Sequence, residues 1–152
     1  MLREELGSEL FWKGVNLYID RHKFGSVETI DLMNAMEQVS GRDLKWFFDQ
    51  WVYGAGAPNL DLKQVYNTRQ KTLTITMTQI QPADAITPAA FHLPLDVDIK
   101  TGSGESLHKL DVTKRSQVFT IKLSGKPISV KVDEGEKIPL KNLKIRPMTI
   151  RN

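Results

Sequence analysis

Apolar residues recur every three or four positions in the first third of the chain and every second position after it. The first spacing predicts helices and the second predicts half-buried strands. Residues 2–6 read as the last turn or two of a helix, stopped by Gly7, a residue type that accepts a left-handed cap. Ser8 is placed to cap a second helix reaching about His22, with Leu10, Phe11, Val15, Tyr18, Ile19 and His22 along it and Gly25 closing it. Thr29 is placed to cap a third, carrying Leu32, Ala35, Met36 and Val39 on one face, with Gly41 just past its end. Asp43 is placed to cap a fourth, where Leu44, Phe47, Phe48 and Trp51 continue the pattern. Helices this short draw their stability from tertiary packing.

Gly54-Ala55-Gly56-Ala57-Pro58 is the sharpest break in the sequence and marks a unit boundary. Beyond it Leu73, Ile75 and Met77 alternate with threonines 72, 74, 76 and 78. Phe91, Leu93, Leu95, Val97 and Ile99 alternate with His92, Pro94, Asp96 and Asp98, and Gly102-Ser103-Gly104 makes the next turn. Phe119, Ile121 and Leu123 face one way until Gly125, and Ile128, Val130 and Val132 form another run. Residues 60–66, 107–113 and 140–145 bring the total to about seven short strands, the spacing of an antiparallel β-sandwich. Pro94 predicts an edge or a bulge at its position. The fold class is therefore α+β: a small all-helical unit, residues 1–53, followed by an immunoglobulin-like antiparallel sandwich, residues 59–152.

Charge sharpens the division. Residues 1–59 hold 6 Lys/Arg against 9 Asp/Glu, whereas residues 60–152 hold 15 against 9. The basic residues of the second half are scattered singly without interleaved aromatics, which predicts a solvated strand face and no nucleic-acid partner. No apolar run is long enough to cross a bilayer, which predicts a soluble segment with no membrane span. The first residues hold two acids and no long apolar stretch, unlike a secretory signal. Cysteine is absent, so disulfides and thiolate chemistry are excluded and the compartment stays open.

The chain is poor in recognisable chemistry. Zinc hydrolysis on a helix needs His-Glu-x-x-His, with two imidazoles on one face and a general-base Glu between them. The three histidines, His22, His92 and His108, are far apart in sequence and read as solvated surface groups. Gly54-Ala55-Gly56 leads into Pro58 and a strand, so it is no phosphate loop. Gly102-Ser103-Gly104 joins two strands and is no nucleophile elbow. Asp96 and Asp98 share a strand face, as paired carboxylates in acid–base catalysis do, but a Lys-bordered solvent face accounts for them. Phe11, Trp12, Phe47, Phe48 and Trp51 sit at helical spacing and read as core or interface.

One resemblance runs along nearly the whole chain. Met1-Leu2-Arg3-x-x-Leu6-Gly7-x-x-Leu10-Phe11-Trp12-Lys13-Gly14 is similar to a segment of aminopeptidase N-like zinc metallopeptidases. So are Tyr18-Ile19-x-x-His22-x-Phe24-Gly25, Thr29-x-Asp31-Leu32, the block Val39 to Leu44, and Phe47-Phe48-x-Gln50-Trp51-Val52. Gly56-Ala57-Pro58 resembles the family's Gly-x-Pro junction. Gln79-x-Gln81, residues 91–95 and Val130-Lys131-Val132-Asp133 resemble its sandwich.

The resemblance implies a C-terminal fragment: the last helices of a thermolysin-like catalytic domain plus the β-sandwich. It implies a parent enzyme that hydrolyses peptides from the N-terminus, in which zinc polarises the carbonyl and activates water beside a general-base Glu. The family's zinc ligands and catalytic Tyr lie upstream of the stretch matching Met1, so no catalytic, cofactor-binding or metal residue carries over. An end near Asn152 implies a parent without a large helical domain, or a segment that stops before it. The partners implied are the upstream catalytic domain and, for the parent, a peptide substrate. Two other classes share these features: a catalytically dead relative acting as a scaffold, and an independent sandwich binding module. Finally, residues 10–19 are apolar nearly all the way round the helix, which predicts self-association through residues 1–24.

Overall fold

A computed structural model describes every residue from Met1 to Asn152 and divides the chain into two compact units, Met1–Ala55 and Gly56–Asn152. In the first, α1 (Leu2–Leu6) meets α2 (Ser8–His22) at Gly7, whose N–H donates to Arg3 O at 2.9 Å while its carbonyl accepts from Phe11 N–H. Gly7 sits at φ 81°, a backbone setting that glycine enters without a Cβ penalty. Gly7 is thus both the end of α1 and the cap of α2, and Ser8, the expected cap, is the first helical residue. The left-handed residue after α2 is Phe24 (φ 68°), not Gly25.

In α3 (Thr29–Ser40) the cap position is Glu28 rather than Thr29, because Asp31 Oδ2 reaches back to accept from Glu28 N–H at 2.9 Å. Gly41 ends it in the left-handed conformation expected. The fourth helix is shorter than its pattern. Leu44, not Asp43, holds the cap position of α4 (Lys45–Phe48), and Asp43 Oδ1 accepts from Lys45 N–H at 2.8 Å. The chain then widens into a π-helical turn, Asp49–Tyr53.

Leu6, Met33, Met36, Leu44, Phe47 and Phe48 form the core of this unit, with Leu10, Phe11, Val15, Trp46 and Trp51 packed on it. α2 and α3 approach closely at Gly14. A Cβ there would stand 2.4 Å from Met36 Sδ and 3.3 Å from Val39 Cγ2. Arg42 ties the loop after α3 to α1, donating to Glu5 O at 2.7 Å and pairing with the Glu5 carboxylate.

The second unit packs two sheets. One contains β5 (Ser116–Lys122), β2 (Thr72–Gln79), β1 (Asn59–Asn67) and β7 (Asn142–Ile145) in that order, with β8 (Thr149–Arg151) also on β1. The other has the order β4 (Gly104–Val112), β3 (Leu93–Thr101), β6 (Pro127–Val132). Alternate residues turn inward: Leu60 and Leu62, Leu73, Ile75 and Met77, and Leu93, Leu95, Val97 and Ile99 are fully buried.

Three features depart from the plain alternating pattern. The sandwich is antiparallel except along one seam, where β7 and then β8 pair parallel to β1, giving eight strands in place of seven. In β6 the register shifts between Lys100 and Thr101, so Thr101 faces Pro127 and Ile128 is the extra residue. That bulge puts Ile128 outside (67% exposed), although its spacing aligns it with Val130 and Val132. Pro94 lies in the half of β3 that only β4 pairs, where a missing N–H leaves no ladder bond unmade.

The 13-residue connection between β2 and β3 is fastened by two buried glutamines. Gln79 exchanges bonds with the Phe91 backbone, and Gln81 Nε2 donates to Gln79 Oε1 at 3.3 Å and to Ala89 O at 3.3 Å. Asp133, buried at φ 51°, folds the loop after β6 by accepting from Lys137 and Ile138 N–H, both at 3.0 Å.

Candidate functional site

The three histidines go to separate places. His22 lies on α2 with its ring 5.6 Å from that of Tyr18. His92, at the entry to β3, bonds the Asp111 carboxylate on β4. His108, on β4, has its Nε2 3.0 Å from Ser106 Oγ. No group of three His, Asp or Glu side chains is placed to hold a metal ion. A zinc site of the His-Glu-x-x-His kind does not fit the donor set of these residues.

The paired carboxylates are engaged structurally. Asp96 accepts from Lys137 Nζ at 2.7 Å, and Asp98 lies in register with Lys131 across β6. Asp61 is held by Arg146, whose Nε donates at 2.7 and 3.1 Å. The hydrogen bond from Arg146 keeps the Asp61 carboxyl below the usual carboxylate range. Asp84 is lowered likewise, by Ile86 and Thr87 backbone N–H groups at 2.9 and 2.7 Å. Neither arrangement opposes a second carboxylate across a cleft, as a general acid–base pair does.

The one cluster of chemically versatile side chains lies where two turns meet at one end of the sandwich. Gly102-Ser103 joins β3 to β4, and residues 123–126 join β5 to β6. The Ser103 and Ser124 hydroxyls touch, and Thr101 Oγ1 is 3.1 Å from the first and 3.3 Å from the second. Around them is a depression of about 250 Å³ lined also by Ser106, His108 and Lys122. A shallower one, about 700 Å³, continues past Lys126 and Ile128. The Ser106–His108 pair was not anticipated from the sequence, although Ser-x-His on a strand necessarily puts both side chains on one face. The ring of His108 has no carboxylate to orient it, so the pair lacks the third member of a nucleophilic triad.

A two-sheet sandwich preceded by a small helical unit defines the class of the chain. Residues 1–51 match the peptidase family M1 domain, and residues 56–134 match a domain of unknown function with an Ig-like fold, DUF3458. The chain belongs to the M1 peptidase family. It is 31% identical to aminopeptidase N of Escherichia coli K12 over 131 residues, which is 78% of this chain and 15% of that protein. Aminopeptidase N of Streptomyces lividans is 47% identical over 51 residues, 34% of this chain and 6% of the relative. The fold also matches the crystal structure of Legionella pneumophila aminopeptidase A in complex with aspartic acid. That match has a TM-score of 0.73 at 18% identity, over 95% of this chain and 16% of that one. The chain thus spans about 15% of the length of its E. coli relative. No helix is long and apolar enough to cross a membrane.

Proposed function

We propose that this chain is a supporting segment of a zinc-dependent aminopeptidase. Residues 1–53 are the last helices of its thermolysin-like catalytic domain, and residues 59–152 are the sandwich that follows. The observation that carries this reading is the 131-residue match to aminopeptidase N, which is longer than either unit and so embraces parts of both. The zinc, its ligands and the general base belong to the parent outside these residues, since the donor set here suits no metal. The segment's own work is mechanical: a packed helical core and a closed sandwich that brace the catalytic domain and contribute no reacting group.

The helical unit carries exposed apolar side chains that fit this role. Trp12 and Ile19 of α2 are each about half exposed (53% and 52%), and Phe24 is fully exposed. Phe11, by contrast, packs on the core of its own unit. In the parent, chain outside this segment covers Trp12 and Ile19; in the isolated segment a second copy does so, through residues 1–24.

The test compares the parent polypeptide with residues 1–152 alone. Metal content after dialysis and hydrolysis of aminoacyl amides are measured for both. The parent is expected to hold about one zinc per chain and to release N-terminal residues, and the segment to do neither. A segment that retains tight stoichiometric zinc overturns the assignment of roles, and a parent without zinc or activity marks a catalytically dead relative.

A further inference from the structure

The hydroxyl-lined groove at the end of the sandwich is not used by the reading above. Its groups have an unequal balance of donors and acceptors. Thr101, Ser103 and Ser124 bring three hydroxyls into mutual contact, and Thr101 Oγ1 also donates to Gly104 O at 3.2 Å and accepts from Ser103 N–H at 3.3 Å. The Thr101 hydroxyl is thereby occupied. With its one proton on Gly104 O, Thr101 Oγ1 can only accept from the serines, so the Ser103 and Ser124 protons are shared among Thr101, each other and the groove.

Charge in the groove is one-sided. Lys122 and Lys126 line its two depressions, and neither forms an ion pair. The single lining carboxylate, Glu105, is taken by Lys100 Nζ at 2.7 Å. The groove is also open. Added Cβ atoms on Gly102, Gly104 and Gly125 would meet nothing within 4 Å, so the turns leave open space beside these glycines. Two unpaired ammonium groups beside hydroxyl donors suit a ligand made of acceptors.

We propose that the Ser103–Ser124 groove is a binding site for a phosphate-class oxyanion, with Lys122 and Lys126 supplying charge and the Ser103 and Ser124 hydroxyls supplying directed hydrogen bonds. The exposed Ile128 at the rim offers apolar surface to whatever carries the phosphoryl group. The ligand is therefore either the free ion or a phosphate monoester, and the two sources share the same polar contacts.

The experiment is a titration of the 152-residue chain followed by amide chemical shifts, with inorganic phosphate in one arm and phenyl phosphate in the other, against chloride at equal ionic strength. Saturable shifts are expected in residues 102–106 and 124–126, with a dissociation constant on the order of 1 mM for the inorganic ion. Tighter binding of phenyl phosphate supports a carried phosphoryl group, and equal binding supports the free ion. The double variant Lys122→Gln/Lys126→Gln should weaken binding by about tenfold or more, and Ser103→Ala/Ser124→Ala by about threefold. Lys122 and Lys126 are exposed, so their variant keeps the fold, which amide dispersion in the same spectra verifies. Lys63→Gln, on β1 and outside the lining of both depressions, should change nothing. Shifts no larger than those with chloride, or an equal loss in Lys63→Gln, overturn the proposal by reducing the effect to general surface charge.

Discussion

Gln79 treats the backbone of Phe91 as a neighbouring strand would: its Nε2 donates to Phe91 O and its Oε1 accepts from Phe91 N–H, both at 2.8 Å. Both residues are fully buried. Truncating the amide strands a buried N–H and a buried C=O and also removes a partner of Gln81. Gln79→Ala should therefore destabilise the sandwich by about 2–4 kcal/mol, at the upper end for a lost pair of buried hydrogen bonds. Urea unfolding followed by tryptophan-independent far-UV signal measures it. A loss below about 1 kcal/mol would show that water replaces the amide.

At Gly14, α2 leaves no room for a Cβ against α3. Met36, which an added methyl would strike, is itself fully buried and has nowhere to retreat. Gly14→Ala should destabilise the helical unit by about 1–3 kcal/mol through overpacking, after an offset of roughly 1 kcal/mol from better helix propensity. Met36→Ala in the same background should restore part of the loss. Additive losses in the double variant would place the strain elsewhere.

Acid sensitivity follows from the depressed carboxyls. Asp61 and Asp84 titrate lower when folded than when unfolded, so each contributes stability that is present above the unfolded value of about 3.9 and is lost as pH falls through the folded value. Asp61→Asn/Asp84→Asn should flatten the dependence of stability on pH below about pH 4 while leaving its form near pH 7 unchanged. At the alkaline end Lys45 and Lys131 are raised by their bonds to Asp49 and Glu134. Their contribution is present below the unfolded lysine value of about 10.4 and is lost as pH rises through the folded one. Thermal melts across pH 2–5, at low and high salt, check the acid limb. An identical slope in the double variant counts against it.

Exposed Trp12 and Ile19 should make the isolated segment associate with itself. Light scattering is expected to show growth in mass with concentration, and Trp12→Lys should suppress it without altering the far-UV signal. A clean monomer at high concentration would mean that these side chains stay solvated.

Amide exchange should be slowest in β1, β2 and β3, which have neighbours on both sides, and faster in α2, one face of which is exposed. Alternation in the sequence marks residues 73–77 and 119–123 alike as half-buried strands. Residues 73–77 belong to β2, whereas Ser116–Lys122 forms an edge strand with one partner. Alternation reveals that a strand has a buried side but is blind to how many strands flank it, because partners are chosen by contacts distant in sequence.

The same reasoning separates what was legible from what was not. Leu73, Ile75 and Met77 bury as their spacing dictates, since period two forces every second residue inward. Gly41 ends α3 because its left-handed setting is local chemistry. Ile128 escaped because a bulge inverts alternation without a marker beyond the adjacent Pro127. The caps at Glu28 and Leu44 escaped because side chains on the following turn or the preceding helix took the bonds: Asp31 accepts from Glu28 N–H and Glu37 from Leu44 N–H. In the groove, Gly102 and Gly125 announced turns. That Ser103 and Ser124, 21 residues apart, touch depends on two connections meeting at one end of the sandwich, which no local pattern encodes.

The parallel seam has a bearing on how the molecule is made. β1 is the first strand of the sandwich to leave the ribosome, yet Leu60 waits for Leu143 and Tyr66 for Ile150. Until those residues emerge, one flank of β1 keeps its hydrogen-bonding groups unmatched, and a nascent chain in that state is a template for stray strands. Synthesis therefore runs with an open zip that only residues 142–151 can close. Pairing across so long a stretch of chain is slow to find. The sandwich is best regarded as closed from residues 142–151 back to its first strand.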